Sequence, residues 1–98
     1  MTTAAPPRSN RVIVTVIGQD QVGIIATVST ILADARANIL DISQSIMEEF
    51  FVMIMMVDLA GANVPFEELK RRLAEKGEPM GLRIDAQNED VFKYMHRI

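Results

Sequence analysis

The chain of 98 residues has no cysteine, no tryptophan and one histidine, His96. The missing thiols exclude disulfides, thiolate metal sites and cysteine nucleophiles. A single histidine cannot build a multi-His zinc site within one chain. Aromatics are scarce: Phe50, Phe51, Phe66, Phe92 and Tyr94 are the whole set. An RNA-recognition domain needs stacking aromatics on its central strands and a basic surface. Here the formal net charge is −3, and only Phe50 and Phe51 fall on a candidate central strand. The one basic cluster, Lys70, Arg71 and Arg72, is interleaved with Glu67, Glu68 and Glu75 and reads as a solvated helix face, not a phosphate patch. No nucleic-acid partner is expected. There is also no apolar run long enough for a membrane span or a signal peptide, so the expected location is cytoplasmic and no membrane contact is implied. Residues 1–10, with Pro6, Pro7 and small polar residues, read as a flexible tail.

Nearly half the residues are hydrophobic, so aliphatics and seven methionines must fill the core. Met53, Met55 and Met56 read as packing residues, because no Cys or multi-His set accompanies them. Residues 11–17 form a β-branched run ended by Gly18 and predict a strand. A helical pattern follows from about Gly23 to Ala35. Residues 38–47 alternate in part, and 50–57 are apolar on both faces. A second helix is predicted over about Pro65 to Lys76, with acids first, bases later and Gly77 as a stop signal. Leu82, Ile84 and Ala86 alternate with polar residues in a last strand, and Asn88 to Ile98 closes the chain with helical i,i+3 spacing of Phe92 and Met95.

The order βαββαβ predicts an α+β, ferredoxin-like domain over 11–98, with a four-stranded antiparallel sheet and two helices on one face. Continuous apolar runs mark strands buried on both faces, which places the first and third strands centrally. The third strand then presents apolar side chains away from the helices, and a partner subunit or Val91, Phe92, Tyr94 and Met95 must cover them. The first helix has an apolar arc centred on Ile25, Val28 and Leu32, wider than one sheet needs. Both features predict a homodimer or a higher even assembly, paired side by side through the first helix and second strand or face to face through the open sheet. The tail 91–98 is expected to fold back, with His96 structural or exposed.

Gly18-Gln-Asp-Gln-Val-Gly23 joins the first strand to a helix start, where glycines relieve the backbone and unpaired amides favour an anion. Asn38 opens the second strand with a donor and an acceptor, which suits a zwitterion. Each residue also has a plain structural role available: Asp20 as a cap of the first helix, Asn38 in a left-handed helix exit. Together, residues 16–29 (VIGQDQVGIIATVS) and 38–44 (NILDISQ) resemble the core motif of ACT domains. Residues 49–53 (EFFVM) and 92–98 (FKYMHRI) resemble the small proteins that consist of one such domain.

This resemblance implies a regulatory module that binds a small molecule, an amino acid above all, and acts in trans on a metabolic or regulatory protein partner. It implies no enzyme and no cofactor. By position it places the ligand between the first loop and the second strand, at Asp20, Gln21, Val22, Gly23, Ile24, Asn38 and Ile39. Asp20 replaces the amide found in some serine-binding members and would attract an ammonium group. Arg36 stands where many relatives have glycine, and a left-handed conformation there would carry a steric cost. An interaction module without a ligand is the alternative. The fold also serves acylphosphatases, which need an Arg in the first loop, and metal chaperones, which need a Cys pair; neither is present.

Overall fold

The computed structural model describes residues 10–95. The expected tail therefore lies outside the described residues apart from Asn10, whose carbonyl accepts the Leu59 N–H at 2.7 Å. His96 and Ile98 also lie outside them.

Four strands, β1 (Arg11–Gln19), β2 (Asn38–Met47), β3 (Phe50–Asp58) and β4 (Arg83–Asn88), form one antiparallel sheet in the order β2-β3-β1-β4. The apolar runs do occupy the centre. Val12, Val14 and Val16 of β1 lie across from Val57, Met55 and Met53 of β3. All six are buried, with Ile84 and Ala86 of β4 beside them. On this face pack α1 (Ile24–Asp34) and α2 (Phe66–Gly77), which contribute Ile24, Val28, Leu32, Leu69 and Leu73. Of the three methionines read as packing residues, Met53 and Met55 are in the core, whereas Met56 is only half-buried, its side chain on the other face of the sheet.

Two details correct the sequence reading. The buried stripe of α1 is Ile24, Val28, Ile31 and Leu32, so Ile25 lies half-exposed at its margin instead of at the centre. Gly77 does not stop α2 by a left-handed turn, since its φ is −75° and the chain continues into a 3₁₀ turn, Glu78–Met80. Its small size matters instead: a Cβ there would sit 2.8 Å from Ile84 Cδ1. The left-handed residue is Gly81, at φ 71°. The terminal segment folds back as expected through residue 95: a third helix, α3 (Glu89–Met95), packs against β1 and β4.

α3 lies on the sheet face opposite α1 and α2. It is pinned by Glu89, which is 1% exposed. Its carboxylate accepts Arg11 Nε and Nη2, each at 2.8 Å, and faces Lys93 Nζ at 3.4 Å. Burial pushes this carboxyl up, but the Arg11 and Lys93 hydrogen bonds and charges outweigh that and hold it below the usual carboxylate range.

Candidate functional site

β1 ends at Gln19, and residues 20–23 carry the chain to α1 at one end of the sheet. The Asp20 N–H donates to the Glu49 carbonyl in the β2–β3 turn at 2.8 Å. Gln21 Nε2 donates to the carbonyls of Gln19 (3.1 Å) and Met80 (2.9 Å), tying the loop to the 3₁₀ turn. Gly23 is the N-cap of α1 at φ 96°, a conformation costly for any residue with a Cβ.

Among the described residues no side chain caps α1, and no acid stands in its first turn. Asp20 is therefore not the helix cap. The first amides of a helix have no acceptor within it. Here the first intrahelical bond runs from Thr27 N–H to the Gly23 carbonyl at 2.9 Å. The N–H groups of Ile24, Ile25 and Ala26 thus form the positive end of α1 with no anion supplied by the helix itself.

Above this helix start lies a shallow concavity of about 290 Å³. Asp20, Gln21, Gly23 and Ile24 line it, with Ile25 and Ala26 beside them. Gln44, Ile46 and Phe51 complete the wall. Val22 is 99% exposed and is not among the lining residues. The arrangement joins a carboxylate, two carboxamides, a set of helix-start amides and an aliphatic wall. It offers complementary groups for ammonium, carboxylate and an apolar side chain.

The other half of the motif is elsewhere. Asn38 pairs with Asp58, and Asp58 pairs with Arg11, whereas the loop joins the Gln19–Phe50 end. The eight steps of β3 between those ends span roughly 27 Å. One chain therefore does not bring Asn38 and Ile39 to the concavity. Asn38 does not take the left-handed helix exit either. That conformation falls on Arg36, at φ 58°. The end of α1 is closed by Asn63, whose N–H donates to the Ala35 carbonyl (2.9 Å) and whose Nδ2 donates to the Asp34 carbonyl (3.1 Å).

Gln44 and Ile46 were not singled out from the sequence, although a signal for them exists. The turn at Glu48 and Glu49 pairs Met47 with Phe50, which sets Ile46 opposite Phe51 and Gln44 opposite Met53 on the helix side of the sheet. A register shift between Ile39 and Asp41 breaks the simple alternation of β2 and hides this. Among the described residues, no group of three or more His, Cys, Asp or Glu is placed to hold a metal. No helix among them is long and apolar enough to cross a membrane.

A family model described as the ACT domain matches residues 10–87. A UPF0237 protein of Methanocaldococcus jannaschii is 55% identical over 89 residues, covering 91% of this chain and 99% of that protein. Among solved structures, an ACT domain protein from Streptococcus pneumoniae superposes with a TM-score of 0.73 at 32% identity, covering 85% of this chain and 93% of that one. The regulatory subunit of aspartate kinase from Thermus thermophilus gives a TM-score of 0.65 at 20% identity, covering 83% of this chain and 52% of that one, which is a likeness of fold alone.

Proposed function

The chain belongs to the ACT domain family, and on that premise we propose that it is a regulatory module, not itself an enzyme, that binds an amino acid and acts in trans on a protein partner. The observation that carries this reading is the uncapped start of α1, set beside Asp20 and an aliphatic wall in one concavity. The ligand carboxylate takes the amides of Ile24 to Ala26, the ammonium faces Asp20, and an apolar side chain lies against Ile46 and Phe51.

A second copy supplies the missing half of the motif. β2 is a ten-residue edge strand, exposed along nearly its whole length, with no proline or lysine to protect it. Leu40, Ile42 and Ile46 of β2 and Ile25 of α1 are all exposed along this edge. Antiparallel pairing of β2 with its own copy about a two-fold axis sets position 38 of one chain across from the Ile46–Met47 end of the other. Asn38 and Ile39 of the second copy then border the concavity, and the pairing places both halves of the motif at one seam.

The test is a thermal-shift screen of the amino acids beside light scattering in solution. A ligand at 100 times its Kd adds about 2.7 kcal/mol of stability. Asp20→Asn and Asn38→Ala are each expected to weaken the best amino acid at least about tenfold, the worth of one hydrogen bond to a charged group, with the unliganded melting temperature unchanged. Loss of stability that is equal with and without the amino acid refutes the site. A dimer that no amino acid stabilises supports the interaction-module reading, which the exposed edge of β2 favours.

A further inference from the structure

Between α3 and the sheet lies a second concavity, of about 310 Å³, which shares no residue with the one at the start of α1. Its floor is the β1–β4 ladder, where Ile13, Thr15 and Ile17 lie across from Gln87, Asp85 and Arg83. These alternate positions run roughly 13 Å along the strands. Phe92 and Met95 of α3 form the wall. The cleft has a deep end and a mouth. Ile13 is 6% exposed and stands two residues from Arg11, whose pair with Glu89 fastens α3. At the other end Ile17 is 47% exposed and the Arg83 side chain 80%. The two sides of the floor also differ, aliphatic along β1 and polar along β4. At the deep end, Gln87 Oε1 is buried and accepts no hydrogen bond from any described residue. An acceptor buried in this way costs stability that an apolar side chain of the same shape would not. Asp85 gives Oδ2 to Arg83 Nε at 3.1 Å and keeps Oδ1 for another donor.

We propose that this cleft is a second small-molecule site, for a neutral aromatic ring that carries an amino or amide N–H. The ring lies on Ile13 and Ile17, with the Phe92 ring and the Met95 thioether against it, contacts that aromatic groups favour. Its N–H donates to Gln87 Oε1 at the deep end, and a second N–H reaches Asp85 Oδ1. The polar side of the floor thus offers two acceptors, and the one guanidinium at the mouth is already paired. A carboxylate ligand would bring no donor to Gln87 and would meet the charge of Asp85. Size sets a further limit. Ligand pockets span about 300–1,000 Å³, so this one, at the low end, takes one ring or a fused pair and not a whole nucleotide. The site is independent of the amino acid site proposed above, since neither needs the other to be filled.

Met95 supplies the probe, because a methionine methyl at the wall reports a ring beside it. The full chain, labelled with carbon-13 on its methionine methyls and assigned with Met95→Leu, is titrated with benzamide, adenine and benzoate. Benzamide and adenine should shift the Met95 methyl saturably, with nuclear Overhauser contacts from their ring protons to that methyl. Benzoate has the shape of benzamide without its N–H and should bind at least about tenfold more weakly, the worth of one hydrogen bond near the upper end of its range. Gln87→Met keeps the side chain's length and removes the acceptor. It should weaken both benzamide and adenine about tenfold and at the same time raise the melting temperature of the unliganded chain. A purely structural Gln87 would do neither. Absence of a saturable shift with both N–H probes overturns the proposal. So does benzoate binding as well as benzamide, or a Gln87→Met chain that binds the N–H probes with unchanged affinity.

Discussion

Glu89→Gln isolates the ion pair that fastens α3. The replaced carboxylate has a side chain 2% exposed and holds Arg11 Nε and Nη2 at 2.8 Å each. The glutamine keeps the volume but leaves a guanidinium, 19% exposed on its side chain, without its counter-charge. Removing one partner of a buried pair costs about 3–5 kcal/mol, and the partial exposure of Arg11 argues for the lower end, about 3 kcal/mol. For a domain of this size each kcal/mol moves the melting temperature by about 4–8 °C, so a fall of more than 10 °C is expected at neutral pH.

The sign of the pH dependence follows from the depressed carboxyl of Glu89. The folded state holds the proton more weakly than the unfolded chain, so the stabilisation is complete above the unfolded carboxylate range. It fades as pH falls through that range towards the folded value. Denaturation of both proteins from pH 7 downward should therefore show a gap that closes in acid. Arg11→Met combined with Glu89→Leu should recover much of the loss, because an apolar pair of similar volume leaves no buried charge. A gap below about 1 kcal/mol at pH 7, or one that persists unchanged in acid, refutes the reasoning.

Arg36→Gly should stabilise the chain by about 1 kcal/mol, read in a urea titration, since Arg36 holds φ 58° and a left-handed non-glycine costs about 1–2 kcal/mol. Gly18→Ala should destabilise by about 1–3 kcal/mol, because its Cβ would meet Leu82 Cδ2 at 2.6 Å and the Gly81 carbonyl at 3.2 Å. Trimming Leu82 to alanine in the same chain should return part of that clash energy, measured by the same titration. Gln21→Ala releases the loop from Gln19 and Met80. It should cost only about 1 kcal/mol in this exposed setting, while hydrogen exchange of the Asp20 and Gln21 amides speeds up.

The sheet was legible because its two central strands are apolar on both faces. Residues 11–17 and 50–57 carry no alternation, and that alone orders β3 and β1 at the centre. α2 was legible by its charge gradient, from Glu67 and Glu68 to Lys76. The margin of α1 was not. Ile24 and Ile25 are equally apolar, and only the tilt of the helix on the sheet decides that Ile24 is buried and Ile25 is not. Gly77 misled for a related reason. A glycine near a helix end signals a left-handed exit, yet here it makes room for Ile84 while Gly81 turns the chain. The loop half of the candidate site was readable as a motif. Gln44, Ile46 and Phe51 were not, because they enter through strand pairing rather than local sequence.

The separation of the motif's halves is a consequence of topology. β1 and β2 run in the same direction on either side of β3, with α1 returning between them. The residues that leave β1 must therefore lie at one end of the sheet, and those that enter β2 at the other. No adjustment of loops within one chain can join positions 20–23 to positions 38–39 across roughly 27 Å. A two-fold antiparallel copy reverses one strand against the other and removes the separation at both ends at once. A ligand that uses both halves then binds only the paired state. By mass action it must tighten the pair, and dilution must weaken the ligand. Assembly and ligand occupancy thereby become one equilibrium. On the proposed reading, this domain can report an amino acid's concentration to a partner through the surface that its pairing creates or hides.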